Sequence, residues 1–446
     1  MHDTIAAIST PPGNGGISVI RISGTDAVSV ADSVFSGNLK DAASHTVHYG
    51  YIVHDGEKID EVLVTLMLAP KTFTAEDTVE ISTHGGTVVT KRVLDCVIRS
   101  GARPAQPGEF TKRAFMNGRI DLAKAEAVID VINSGNVLAG KNAIAQLTGK
   151  LSGKIEGMRQ SLVNLAAHMQ VSIDYPDEDL EDITVDDIMN TLKETLSDCN
   201  KLIKSADDGR ILKDGIRTVI AGKPNVGKST LLNCLSGGER AIVTDIAGTT
   251  RDIIEQDITI KGIPVKLIDT AGIRETDDEI ERIGVERSEK SLNSADLVIV
   301  MLDGSVQPDS EDMKVLERTK DMKRIVVVNK SDKGLDEKAK QYGDVFISAK
   351  NDEGTDELSD IISEMYNIGE IVSSNGEIIT NMRHKSALCR CSEALGRAID
   401  TIESGMPQDI ASIDINDAID SLGEITGATV SEDVVSAVFA NFCVGK

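Results

Sequence analysis

The chain has 446 residues, 40% of them hydrophobic, and a formal charge of −25, an ordinary globular composition with room for roughly two to four domains. That charge opposes nonspecific binding to nucleic acid or an anionic membrane, because polyanions repel before local contacts form, so any RNA contact has to be local. No apolar run approaches the roughly 18 residues of a membrane span, Met1 to Thr4 lacks the basic and apolar regions of a signal peptide, and six scattered cysteines make no disulfide framework; a cytoplasmic location with no membrane partner is expected.

From residue 1 to about 118, short β-rich runs (Ile17 to Ile22, Val62 to Leu68, Thr78 to Ser82) alternate with glycine-rich turns, which predicts an α+β module. Between 91 and 124, Lys91, Arg92, Arg99, Arg103, Lys112, Arg113, Arg119 and Lys124 face only Asp95, Glu109 and Asp121. Two readings stand side by side here: a local RNA contact, or a solvated face of ordinary ion pairs. Helical periods run from about 119 to 210, with Leu122, Ala125, Val128, Ile129 and Ile132 on one face and Leu151, Ile155, Met158, Leu162 and Leu165 on another. The acidic run from Asp174 to Asp187 reads as a solvated connection between helices.

A strand-like run, Thr218 to Ala221, then feeds into Gly222-Lys-Pro-Asn-Val-Gly-Lys-Ser229, a match to G-x-x-x-x-G-K-[ST]. In that context the loop wraps a polyphosphate with backbone N–H groups, Lys228 supplies a positive charge for the β/γ oxygens, and Ser229 offers a hydroxyl to Mg²⁺. The pattern alone arises by accident too often to decide anything, so the motifs after it matter. After strands expected at about Ile253 to Ile260 and Pro264 to Ile268, Asp269-Thr-Ala-Gly272 places a carboxylate near the metal and a glycine amide near the γ-phosphate. Farther on, the strand Ile325 to Val328 ends in Asn329-Lys-Ser-Asp332, and Val345 to Ile347 ends in Ser348-Ala-Lys350. An Asp carboxylate accepts from both N1–H and the 2-amino group of guanine. Adenine lacks that donor pair and leaves the acceptor unmet, so the sequence points to GTP rather than ATP.

Thr244 to Arg251 contains three threonines, two of them directly after Gly248, and one threonine is expected to complete the Mg²⁺ shell. Ile273 occupies the position directly after Gly272, where Ras-type GTPases carry a water-orienting Gln. An isoleucine cannot hydrogen-bond water. Arg274, Glu275, Asp277, Asp278, Glu279 and Glu281 are all polar candidates nearby, and the residues alone do not choose among them. Helical patterning resumes at about 380 to 402 and 409 to 441, which predicts an α/β unit inserted into a helical domain whose parts flank it. Cys389 and Cys391 are spaced wrongly for a zinc knuckle.

Four blocks together resemble the MnmE (TrmE) family of tRNA modification GTPases from end to end. They are Thr10 to Gly16 with Ile20 to Gly24; Glu109 to Phe115 with Asp121 to Ala127; the GTPase motifs; and the terminal Cys443-Val-Gly-Lys446. The resemblance implies a multidomain α/β plus α protein: an N-terminal α+β tetrahydrofolate-binding and dimerisation domain (1–118), a helical domain (119–213 and 371–446), and an inserted Ras-like P-loop GTPase domain with a doubly wound sheet (214–370). It implies GTP hydrolysis coupled to adding a carboxymethylaminomethyl-type group at C5 of the wobble uridine of certain tRNAs. The partner it implies is MnmG, an FAD- and NADH-using protein, in a heterotetramer-like complex, and the carbon source it implies is 5,10-methylene- or 5-formyl-tetrahydrofolate.

Family roles fall on matching positions. Asn225, Val226, Gly227, Lys228, Ser229, Thr230, Thr244, Asp245, Ile246, Ala247, Gly248, Thr249, Thr250, Asp269, Thr270, Ala271, Gly272, Asn329, Lys330, Asp332, Ser348, Ala349 and Lys350 line the nucleotide. Ser229 and Thr250 hold Mg²⁺, while Asn225, Thr244, Ile246 and Thr249 hold a K⁺ ion where other GTPases place an arginine finger. Glu281 positions the attacking water through a second one, and Cys443 is a candidate for the modification chemistry. Arg21, Glu80, Arg119 and Lys446 match folate contacts; Arg119 departs from the lysine of many members and brings a forked donor instead of a point charge. The family's K⁺ loop orders when two G domains meet, so G-domain pairing within a homodimer held constitutively by the N-terminal domain is expected to be the activating event. A ribosome-assembly GTPase fits less well, since neither a KH-type appendage nor a tandem G domain is legible, and a membrane switch lacks a lipidation box or polybasic run.

Overall fold

The computed structural model describes residues 3–174, 184–236, 255–269, 292, 294–366, 378–440 and 442–446. In chain order it begins with β1 (Ile5–Ile8), β2 (Ile17–Ser23), α1 (Ala27–Val34), β3 (Thr46–His54), β4 (Glu57–Met67), β5 (Thr78–His84), α2 (Thr87–Arg99), β6 (Arg103–Pro104) and α3 (Glu109–Met116). Four helices follow: α4 (Leu122–Ile132), α5 (Val137–Leu147), α6 (Lys150–Asp174) and α7 (Val185–Asp214). Next come β7 (Ile216–Ala221), α8 (Lys228–Ser236), β8 (Glu255–Ile260), β9 (Ile263–Asp269), β10 (Leu297–Asp303), α9 (Ser310–Arg318), β11 (Arg324–Asn329), α10 (Glu337–Lys340), β12 (Val345–Phe346) and α11 (Thr355–Met365). The chain closes with α12 (Met382–Glu403), α13 (Gln408–Thr426) and α14 (Glu432–Ala440). The chain forms two compact units. One comprises Met1–Ile132, Gln146–Thr195 and Arg390–Lys446; the other comprises Asn133–Ala145 and Leu196–Cys389.

In the first unit a six-stranded sheet runs in the order β3-β4-β5-β2-β1-β6. Period-two alternation sorts its faces. Ile20 and Ile22 of β2 and Val79 and Ile81 of β5 are buried in the core that includes α1 and α2 residues, so Arg21 and Glu80, directly paired across the strands, fall on the opposite face. The β3–β4 hairpin turns at Asp55 and Gly56, both with positive φ, which is the Asp-Gly geometry that matches strand twist.

The helical periodicity of Leu151, Ile155, Met158, Leu162 and Leu165 is a buried stripe of α6, and α6 packs on α13. On α4, Leu122 and Ala125 are buried, but Ala123, Glu126 and Ala127 join them and Ile132 is exposed. The expected helix from 409 to 441 is two helices: Gly427 takes φ 91, and its N–H bonds Gly423 O, closing α13. A side chain at Gly427 would meet the Phe115 ring within 2.9 Å, so the break also lets the chain pass close to α3. Beyond it α14 buries Val435 and Phe439 with Leu122, Ala125 and Phe442. This packing brings the last residues to the N-terminal sheet, where Gly108 N donates to Cys443 O at 3.3 Å and Ser9 Oγ to Gly445 O at 3.0 Å.

The basic run at 91–124 does not form one free surface. Arg113 is 4% exposed, with Asp3 at 2.8 Å and Glu76 at 3.0 Å; Arg103 reaches Glu109 at 2.6 Å and Asp3 at 2.7 Å. Arg92 pairs with Glu57 and Lys124 with Asp121. Ion pairs therefore hold these four residues, but Arg113 and its partner Glu109 are buried and do not lie on a solvated face. Arg103 holds the Asp3 carboxyl below its ordinary value; burial pushes Glu109 up, but Arg103, the Gln106 N–H and Arg113 outweigh it. With both folded values below the unfolded ones, their stabilisation is full above about pH 4.5 and is lost as pH falls through the folded values. Arg113→Met removes the buried cation that pairs with Glu76 and that shares Asp3 and Glu109 with Arg103, and is expected to cost about 3–5 kcal/mol. Chemical denaturation at pH 7 checks it, and a loss below about 1 kcal/mol would refute the buried-network account.

The second unit carries a six-stranded sheet in the order β12-β11-β10-β7-β9-β8, parallel apart from β8. Burial on both faces explains why β10 reads as one apolar run. Leu297, Ile299 and Met301 join one core, and Val298, Val300 and Leu302 the other.

Candidate active site

The chain leaves β7 toward β8 and β9 on one side and later returns to β10 on the other, so the strand order reverses at β7. In open α/β sheets ligands bind outside the carboxyl ends of the strands at such a point. The sequence motifs stand there. Asp269 closes β9 beside Ile220 of β7, and Asp303 closes β10 beside Asn329 of β11.

The phosphate loop runs from Gly222 to Ser229. Gly222 has φ 150 and Gly227 φ 104; a Cβ at Gly222 would stand 2.5 Å from Met301 O, and one at Gly227 2.2 Å from Asn329 Nδ2. Both positions therefore need glycine twice over, for conformation and for space. Asn225 also has positive φ, 63°, a region Asn enters at less cost than most residues. Val226 is buried, whereas Ser229 and Thr230 are exposed on the first turn of α8. Lys228 Nζ donates to Gly222 O at 2.5 Å and Lys223 O at 2.9 Å, which keeps the ammonium within the loop. N–H groups of a helix start and a fixed cation together make a polyanion site.

Asn329 ties this loop to the base-reading side. It is 4% exposed; its Nδ2 donates to Val226 O at 2.7 Å and its Oδ1 accepts from Ala349 N at 3.0 Å. One side chain thus spans the phosphate loop and the Ser348–Lys350 loop. Asp332 is exposed, with one carboxylate oxygen held by the buried Ser348 hydroxyl at 2.9 Å. Lys330 sits at φ 66, its ammonium 2.6 Å from Asp303. Burial pushes the Asp303 carboxyl up, but Lys330 and two donors from Ser305 bring it below the ordinary range. Lys350 is exposed.

Asn225 through Thr230, Asn329, Lys330, Asp332, Ser348, Ala349 and Lys350 therefore gather at one sheet edge, with the Asp269 backbone beside them. Thr244, Asp245, Ile246, Ala247, Gly248, Thr249, Thr250, Thr270, Ala271, Gly272 and Glu281 lie outside the described residues.

In the first unit, Arg21 and Glu80 form an ion pair at 2.8 Å, and the Arg21 guanidinium lies over the Phe73 and Phe110 rings at 5.3 and 5.7 Å. Arg119 approaches the same Phe73 ring at 5.3 Å. Glu80 is thus a paired residue. The tail lies against the end of β1, where a Cβ at Gly445 would stand 2.3 Å from Ile8 O; Cys443 is exposed, and Lys446 is half-buried. Sequence reasoning missed Phe73, Phe110, Asp303, and Asp309 and Asp312, which pair with Lys223. For Asp303 a signal existed: an Asp ending an apolar strand, as Asp269 does.

Comparison with known proteins places the chain in a family. A model described as "MnmE helical domain" matches residues 122–443, and one described as "GTP-binding protein TrmE N-terminus" matches residues 4–119. The tRNA modification GTPase MnmE of Acetivibrio thermocellus is 50% identical over 100% of this chain and 99% of its own length. That of Lactobacillus helveticus is 48% identical over 100% and 98%. The solved G domain of the T. maritima FeoB iron transporter is 30% identical over 33% of this chain and 96% of that one, at a TM-score of 0.26, too loose a match to carry an argument.

Proposed function

The chain belongs to the MnmE family of tRNA modification GTPases, and from that membership we propose that it hydrolyses GTP in the course of adding a carboxymethylaminomethyl-type group to C5 of the wobble uridine of certain tRNAs, together with MnmG. The observation that carries the GTP half is the Asn329 clamp, which builds the phosphate loop and the Asp332–Ser348 base loop into one frame. In that frame Asp332 reads the guanine donor pair, Ala349 N–H and the Asn329 amide hold the loops, and Lys228 meets the β/γ oxygens. The exposed Ser229 hydroxyl fits a Mg²⁺ ligand, with Thr250 as its fellow ligand. Magnesium neutralises phosphate charge when bound.

Asn225, exposed in a left-handed turn of the loop, fits a K⁺ ligand with Thr244, Ile246 and Thr249. Glu281 then orders water in place of the glutamine that Ile273 lacks. In our reading, meeting of two G domains completes this arrangement, and the first unit holds the homodimer. Val47 and Tyr49, 60% and 64% exposed on the edge strand β3, stand beside the exposed Leu63 of β4 and support that contact. For the folate, Arg21 and Arg119 offer cations over Phe73 to its carboxylates, Glu80 offers acceptors to its aminopyrimidine, and Lys446 and Cys443 stand in the tail beside β1. A cytoplasmic location is part of the same reading; among the described residues no helix is long and apolar enough to cross a membrane.

Mass spectrometry of tRNA nucleosides from cells lacking this protein tests the proposal. The C5 wobble modification is expected to disappear, and an unchanged nucleoside profile would overturn the role in tRNA modification.

A further inference from the structure

Lys223 occupies a position where the phosphate-loop pattern accepts any residue, yet its side chain is committed. Its ammonium is 2.7 Å from an oxygen of Asp309 and 2.7 Å from one of Asp312. Those two carboxylates belong to the capping box that starts α9: Asp309 accepts from Glu311 N and Asp312 N, and Asp312 accepts from Asp309 N at 3.0 Å. Asp312 is 4% exposed, a burial at which a carboxylate needs a compensating charge. Lys223 is that charge. Its backbone carbonyl is in turn one of the two that hold Lys228 Nζ. A continuous path thus runs from the start of α9 through the Lys223 side chain to the carbonyl that orients the phosphate-binding lysine.

We infer that Lys223, gripped by Asp309 and Asp312, is a positioning residue for GTP binding: it anchors the first turn of the phosphate loop to α9, fixes the carbonyl that directs Lys228, and cancels two carboxylates beside a polyanion. The pair Asp309 and Asp312 shares the role, because it supplies the anchor. The inference rests on the phosphate loop being the GTP site.

The two parts of the role pull in opposite directions when the carboxylates are removed, which makes the test sharp. Full-length protein is titrated with fluorescent GTP and GDP analogues. Lys223→Met removes anchor and charge together and is expected to weaken GTP by about tenfold and GDP by less, since the triphosphate carries the extra charge. The double variant Asp309→Asn with Asp312→Asn keeps the helix cap, for Asn caps as well as Asp, but gives up the ionic anchor. It is expected to weaken GTP by about threefold or more even though negative charge has been taken away. Lys223→Arg restores binding to within about twofold, a rescue that loss of fold stability alone would not show. GTP binding in the double variant as tight as wild type or tighter overturns the inference, and so does unaltered binding by Lys223→Met. Wild-type protein that takes up neither nucleotide would instead overturn the nucleotide reading itself.

Discussion

Replacing Asp332 by Asn is expected to lower GTP affinity by roughly 10²–10⁴-fold and to raise affinity for xanthosine triphosphate. The carboxylate accepts from the two neighbouring donors of guanine, N1–H and the 2-amino group. Asn keeps one acceptor and turns the other into a donor, which leaves two donors facing each other. Xanthine carries an oxygen at that carbon and meets the amide correctly. Ser348 sets the direction: its hydroxyl donates to Asp332 Oδ1 at 2.9 Å, so the amide oxygen stays there and the nitrogen takes the other place. Competition titrations with GTP, xanthosine triphosphate and ATP read the result. Undiminished preference for GTP would remove Asp332 from base recognition.

A second large effect is expected at Asn329, which touches both loops without depending on contact with the base. Asn329→Ala strands two backbone groups, Val226 O and Ala349 N, where the side chain was 96% covered. Each unmet buried group costs about 1–3 kcal/mol, and the two loops lose their common tie, so GTP and GDP affinity both fall by roughly 10²-fold or more. Because the loss comes from the frame, it falls equally on GTP and on xanthosine triphosphate, unlike the loss at Asp332. Calorimetric titration with GDP and a melting curve of the same sample check both parts. Wild-type affinity in the Ala variant would contradict the clamp.

The nucleotide side of this architecture was legible because strand and loop chemistry are local. The run Ile325 to Val328 had to be a buried parallel strand, and the four residues after it had to stand at its carboxyl end, where a doubly wound sheet binds ligands. The stripe from Leu151 to Leu165 was legible for the same reason: helix periodicity is a property of neighbours in sequence. What escaped was long-range pairing. Arg113 and Asp3 are 110 residues apart, so a basic run looked like a surface when its most buried member was closing a network. Phe73, between β4 and β5, and Phe110, on α3, frame Arg21 of β2 only once all three segments are placed, and nothing local marks them. Lys223 escaped because a motif defines its variable positions by silence, and Asp309 and Asp312 read equally well as a helix cap alone. The end of α13 was a different lapse. Gly427 is a helix stop by its backbone freedom, but apolar periodicity resumes at Val435 and hid the break.

The claim most exposed to refutation is that catalysis uses a monovalent cation held in part by Asn225, in place of the arginine finger other GTPases employ. Steady-state GTP hydrolysis by the full-length protein, measured in KCl and in NaCl at equal ionic strength with Mg²⁺ constant, addresses it directly. The account predicts a rate at least about tenfold higher in KCl, with the difference lost in Asn225→Ala. Equal rates in the two salts would contradict it.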